Sequence, residues 1–238
     1  MEQSKRFLPQ EILKLIACIT MLIDHFGAAV VILLRIPNVV NIYYACRVIG
    51  RIAFPIYCFL LCEGMRHTRN VPRYILRLAI GMVLSELPFD LLFEGGISWA
   101  YQSVMVTLTL GAIMLWCMQK TSKKWMRLLL VLPFAVTAEL MMTDYGGWGI
   151  AMIAVFALLE RFPQQLIGVL LVSYLMPSAG ITVFGVTVSC ELAAVFAMLP
   201  IGLYSGKKLT RSRAVQWAFY LFYPVHILVL WLVQGCFR

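Results

Sequence analysis

Charge is scarce in this sequence. Of its 238 residues, 13% are Asp, Glu, Lys or Arg and 62% are hydrophobic, whereas a soluble globular chain holds about a quarter charged. That imbalance excludes an ordinary soluble domain. Also missing is the ten-residue alternation of a membrane β-barrel strand. Several apolar runs instead exceed the roughly 18 residues that separate a membrane span from a buried core helix. Hydrocarbon cannot satisfy free backbone groups, so such runs must be helices. The seven cysteines include no C-x-x-C pair. Cys58 and Cys62 share a helix face and read as small packing residues, with neither a disulfide framework nor a metal site expected. No repeat or low-complexity linker breaks the chain, so residues 1–238 read as a single transmembrane domain. The opening "MEQSKRFLPQ" runs straight into a span too long for an h-region, and no cleavable signal peptide is expected.

What is present is a series of apolar stretches predicting an all-α, polytopic membrane helix bundle. About nine transmembrane helices are expected, at roughly 11–34, 46–65, 73–93, 102–119, 125–142, 146–160, 164–177, 181–204 and 214–235. The sixth and seventh are short and joined only by "ERFPQ", which admits a re-entrant pair. A net charge of +9 would suit nucleic acid, but its distribution points elsewhere. The cations gather in short connections: Arg66, His67, Arg69 and Arg73; Lys120, Lys123, Lys124 and Arg127; Lys207, Lys208, Arg211 and Arg213. With Lys5 and Arg6 they fall on one side if the N-terminus is cytoplasmic and the C-terminus outside. The opposite loops carry Glu94 and Asp144, with Arg35 and Arg47 as exceptions.

Inside this frame the ionisable residues are few and clustered. Asp24 and His25 lie near the middle of the first span. Arg47 and Arg51 share a face near the outer end of the second, and Glu86 and Asp90 a face near the outer end of the third, around Pro88. Glu139 and Asp144 approach the outer surface, Glu191 sits in mid span eight, and His226 in mid span nine. Each costs about 2.5–3.5 kcal/mol at the bilayer centre, so all are expected to face the bundle interior or a wet cavity. Together they predict an outward-facing polar pocket. The same residues also fit an ion-pair clasp of Arg47 and Arg51 with Glu86 and Asp90, or interhelical glue at Glu191.

Lys14 and His25 are eleven residues apart, about three helical turns, which returns them to within about 20° of one face and separates them by about 16 Å. A cation at the cytoplasmic end and a base in mid-membrane thus line one groove. An elongated donor with an anionic head and a reactive tail fits that geometry, and coenzyme A has this shape. The segments "LKLIACITMLIDHFG", "IGRIAFPIYCFLLCEG", "TRNVPRYILRLAI", "SELPFD", "TDYGGWGI" and "LYSGKKL…FYLFYPVHILVL" resemble the TraX family, in this order and over nearly the whole chain. That family is named for a conjugation-plasmid inner-membrane protein that acetylates the N-terminus of pilin. It is similar in turn to acyltransferase-3 proteins and the lysosomal heparan N-acetyltransferase. Lys14 and His25 match the acyltransferase-3 pattern of Arg, ten residues, then His, with Lys in place of Arg. Ser103 and Ser205 stand where the family pattern leads one to expect Asn.

The resemblance implies a bacterial inner-membrane acyltransferase that moves an acetyl group from cytoplasmic acetyl-CoA to an amine or hydroxyl outside. His25 would be general base with Asp24 beside it. Lys14, Arg73, Arg77, Lys207 and Lys208 would hold the donor's phosphates. Arg47, Arg51, Glu86, Asp90, Asp144, Tyr145, Tyr223 and His226 would line the acceptor pocket. No metal and no nucleic-acid partner is expected, and the acceptor stays open among peptide, sugar and small molecule. The competing reading is a proton-coupled transporter or flippase using the same intramembrane groups.

Overall fold

The computed structural model describes residues 6–177, 180–183, 186–210 and 212–237; Lys5 and Arg211, two of the basic loop residues, lie outside them. The protein is predominantly α-helical, as expected. Its helices are α1 (Gln10–Ala29), α2 (Val39–Gly50), α3 (Ala53–His67), α4 (Val71–Phe93), α5 (Val104–Gln119), α6 (Lys124–Leu140), α7 (Gly146–Leu158), α8 (Phe162–Leu175), α9 (Met198–Gly202) and α10 (Arg213–Gly235). Among the described residues, three helical stretches are long and apolar enough to cross a membrane: Gln10–Leu33, Val39–His67 and Ala214–Gly235. Large apolar side chains stand exposed along α4 (Leu76, Val83, Leu87), α6 (Leu128, Leu132) and α10 (Val225, Val229, Leu232). In water those faces would be costly; against lipid they are the favourable surface.

Two expected spans differ. The second, expected over 46–65, starts earlier and is broken at Arg51 and Ile52 into α2 and α3. Pro55 explains the break: without an N–H it cannot donate to the Arg51 carbonyl, and its ring would crowd that oxygen. Ile52 N–H instead reaches back to the Ile49 carbonyl at 3.3 Å, a tightened last turn. Arg47 and Arg51 therefore lie at a helix break in the middle of the Val39–His67 stretch, not near its outer end. The eighth, expected as one helix over 181–204, opens as an antiparallel strand pair, β1 (Gly180–Val183) with β2 (Val186–Ser189); residues 184 and 185 lie outside the described residues. A 3₁₀ stretch, Cys190–Ala197, and α9 follow. The β-branched run "GITVFGVTVS" prefers extended backbone, which hydropathy alone does not register. Ser189 then caps the 3₁₀ stretch by accepting from Glu191 N–H at 3.2 Å. Glu191 thus sits in the first turn after β2 rather than in mid-helix.

The chain divides into two compact units. The first holds the residues up to Tyr57 and those from Val169 onward; the second is Cys58–Gly168. In the first, α1 and α2 pack closely because small residues let them: a Cβ at Gly27 would overlap Cys46, and one at Gly50 would overlap Asp24. Helix α1 also pairs with α10. Lys14 lies 5.1 Å from the Phe219 ring centre, and Gln234 donates to the Ala29 carbonyl at 3.1 Å. Residue numbers rise together along both helices, so they run in the same direction, as first and ninth spans of the expected arrangement must. The segment before α1 is tied to the loop after α9: Leu8 N–H donates to the Leu203 carbonyl, and Ser205 N–H and Oγ to the Leu8 carbonyl. In the second unit, Asn70 caps α4 by accepting from Arg73 N–H. The loop before α5 bridges the loop before α7 through Gln102 N–H to Met142 and Asp144 N–H to Gln102.

Candidate functional site: a buried histidine pair beside an arginine–carboxylate network

Asp24 and His25 are neighbours on α1 and, about 100° apart on the helix, face different partners. Asp24 meets the α2–α3 break. Its Oδ2 accepts from Arg47 at 2.7 Å and from Arg51 at 3.2 Å, and its Oδ1 from Arg51 at 3.0 Å. Arg51 also donates to Glu191 at 2.8 Å. Asp24, Arg51 and Glu191 are buried, while 28% of the Arg47 side chain is exposed. Two cations and two anions close a network with no net charge, the condition under which ionic groups are tolerated away from water.

His25 faces α10. Its Nδ1 lies 2.7 Å from Nε2 of His226, and Nδ1 of His226 lies 2.7 Å from the Phe222 carbonyl oxygen. The two imidazole planes are within 3° of parallel with centres 5.0 Å apart. With so short an N–N contact, the rings meet edge to edge through a shared proton. Phe222 stacks on His226 at 4.7 Å, and Tyr223 stands edge-on to both imidazoles. His25, Tyr223 and His226 are all buried.

The structure thus places Asp24, Arg47, Arg51 and Glu191 in one network and His25, Tyr223 and His226 in an adjoining one. Arg47 and Arg51 find their carboxylates at Asp24 and Glu191 rather than in the clasp with Glu86 and Asp90. The partner of His25 Nδ1 is His226, 201 residues away, and no local spacing could signal it. At the N-terminal end of α1, Lys14 is half-buried and Gln10 N–H donates to the Lys207 carbonyl at 2.9 Å. Lys207 and Lys208 follow Gly206 in an exposed turn there. Glu11 fixes this turn by accepting from Leu209 N–H at 2.7 Å.

The remaining candidates lie in the second unit. Arg73 is exposed in the first turn of α4, and Arg77 is half-buried above the Tyr74 ring. Glu86 accepts from Ser103 Oγ at 2.6 Å, Asp90 from Ser98 N–H at 3.0 Å, and Asp144 from Tyr101 at 3.0 Å. Tyr145 precedes α7 in a left-handed conformation, and Glu139 accepts from Gly147 N–H at 2.9 Å. Ser103 and Ser205, the two departures from the resembled pattern, both make internal hydrogen bonds.

Fold and site together define a class: a helical protein with membrane-length apolar spans around a buried centre of paired histidines and a neutral arginine–carboxylate network. Residues 9–234 match the model of the family described as TraX protein, and the chain belongs to that family. It is similar to a probable fimbrial assembly protein, FimC of serogroup H1, from Dichelobacter nodosus, with 31% identity over 235 aligned residues covering 92% of each chain. It is also similar to Protein TraX of Escherichia coli strain K12, with 28% identity over 229 aligned residues covering 93% of this chain and 85% of that one. No solved structure matches it.

Proposed function

We propose that the protein is a bacterial inner-membrane acyltransferase that moves an acetyl group from cytoplasmic acetyl-CoA to an amine or hydroxyl on the outer side. The observation that carries this reading is the arrangement on α1. Lys14, beside the Lys207–Lys208 turn, and His25, on the histidine pair, both face α10. The cations suit the donor's phosphates. The pantetheine arm then reaches along the helix toward the imidazole, a span of about 16 Å between Lys14 and His25.

Transfer needs the acceptor to lose a proton as its lone pair attacks the thioester carbonyl, and a positioned imidazole contributes about 10²–10⁴-fold to such a step. The developing oxyanion needs a donor. Arg47 is suited to it, since its guanidinium is partly exposed and, among the described residues, makes one hydrogen bond, to Asp24. Asp24 serves by fixing Arg47 and Arg51. The fimbrial relative and the pilin-acetylating namesake of the family make a pilin-like peptide amine the first acceptor to test.

The transporter reading asks Asp24 and Glu191 to take up and release protons. Both carboxylates are instead engaged by guanidiniums, Asp24 with Arg47 at 2.7 Å and Glu191 with Arg51 at 2.8 Å, an arrangement suited to holding the arginines in place.

Acetyl-CoA itself separates the two readings. Saturable binding to the detergent-solubilised protein raises its melting temperature as the ligand exceeds its Kd, and membranes supplied with labelled acetyl-CoA and a pilin-type peptide release CoA. His25→Ala abolishes that release while the protein still folds, at a lowered melting temperature because a buried hydrogen bond is lost. Absence of any acetyl-CoA stabilisation sinks the proposal.

A further inference from the structure

The bond between the two histidines has a direction, and that direction decides which nitrogen of His25 does chemistry. A carbonyl oxygen only accepts, so the 2.7 Å contact of His226 Nδ1 with the Phe222 oxygen requires a proton on Nδ1. In the neutral ring Nε2 then carries the lone pair. That Nε2 is the atom 2.7 Å from His25 Nδ1, so His25 must supply the proton from Nδ1. The lone pair of a neutral His25 is thereby assigned to Nε2. Stacking of Phe222 on His226 and the near-coplanarity of the imidazoles hold the chain of bonds in one geometry.

We propose that His226 is a positioning residue: through the Phe222 carbonyl it locks His25 in the Nδ1–H tautomer and makes Nε2 the basic atom. The tautomer stands on the hydrogen bonds alone; its use in transfer rests on the acyltransferase reading above. In that use the acceptor N–H or O–H bond breaks and its proton goes to His25 Nε2. The acceptor's lone pair forms the bond to the acetyl carbon, the C–S bond breaks, and the CoA thiolate then takes the proton back from Nε2. While His25 is an imidazolium, its Nδ1–H···Nε2 bond to His226 is charge-assisted and correspondingly stronger. This is the service a carboxylate performs in a Ser–His–Asp triad, here supplied by a neutral ring.

Two measurements test it. The first is nitrogen NMR of the full chain in micelles with labelled histidine, His67→Gln removing the third imidazole. Both remaining rings are expected to show a protonated Nδ1 and a bare Nε2 at neutral pH; a His25 protonated on Nε2 and bare on Nδ1 overturns the proposal. This arm needs no activity, so its failure is distinct from failure of the acyltransferase reading. The second compares His226→Gln, whose side-chain oxygen can accept at the Nε2 position, with His226→Phe, which keeps ring volume and cannot. The Gln variant is expected to stay within about tenfold of the wild-type rate of CoA release. The Phe variant is expected to fall by about 10²-fold or more and to lose the Nδ1–H signature. Equal rates for the two variants, both high or both low, overturn the positioning role. If the Phe variant does not fold, the tautomer measurement on the wild type decides alone.

Discussion

Arg51 holds two carboxylates at once, and its replacement isolates the consequence. Arg51→Leu leaves Asp24 with Arg47 alone and strips Glu191 of the guanidinium it faces. Removing one partner of a buried pair costs about 3–5 kcal/mol, so denaturant unfolding in detergent should show a loss of that order. Arg51→Lys should recover only part of it, because a point charge on a flexible stem cannot reach two acids through a planar fork. Arg47→Ala should cost about 1 kcal/mol, since 28% of its side chain is exposed and Asp24 retains Arg51. A larger loss at Arg47 than at Arg51 would reverse the hierarchy drawn here. At this scale the sequence was half legible. Asp24, His25, Arg47, Arg51 and His226 stand out because ionisable groups in apolar runs are expensive. Their partners do not, because pairing depends on which face of a distant element is turned toward them.

Elements α1 and α2 approach through two glycines, and the site depends on that approach. A methyl at Gly50 would overlap the Asp24 side chain, displacing the carboxylate from both arginines. Gly50→Ala is expected to destabilise by about 1–3 kcal/mol, as overpacking does. Gly235, at the end of α10, has nothing within 4 Å of an added Cβ, and Gly235→Ala should be neutral or slightly stabilising through helix propensity. Thermal melts of the two variants side by side check the pair, and equal losses would mean that the contact at Gly50 is not close. The element scale also holds the two departures from sequence expectation. Pro55 breaks the second span three residues before it appears, because the missing hydrogen bond belongs to the residue four positions back. The pairing of β1 with β2 was hidden because a short apolar run rich in Val, Ile and Thr satisfies strand and span alike.

At the scale of the whole molecule, the parallel course of α1 and α10 fixes what a topology experiment must find. Lys207 and Lys208 lie by the start of α1, while Cys236 follows α10 and is exposed. If the N-terminus is cytoplasmic, Cys236 in intact cells should react with a membrane-impermeant maleimide. A cysteine replacing Lys208 should react only after the membrane is opened. Labelling of both from outside would break the expected orientation. Composition and run length together determined the helical class: long apolar stretches without strand-like alternation leave the helix as the state that satisfies its own backbone hydrogen bonds. They also determined which residues are anomalous in such stretches, and motif order along the chain pointed to the TraX family. Only the tertiary structure decided that Asp24 serves arginines rather than its neighbour, that Glu191 completes the network, and that His226 rather than a carboxylate meets His25. The reason is physical. Burial cost is a property of each residue and is written along the chain, whereas the bond that offsets it forms between groups on different elements, 23 to 201 residues apart, and exists only once the helices have packed.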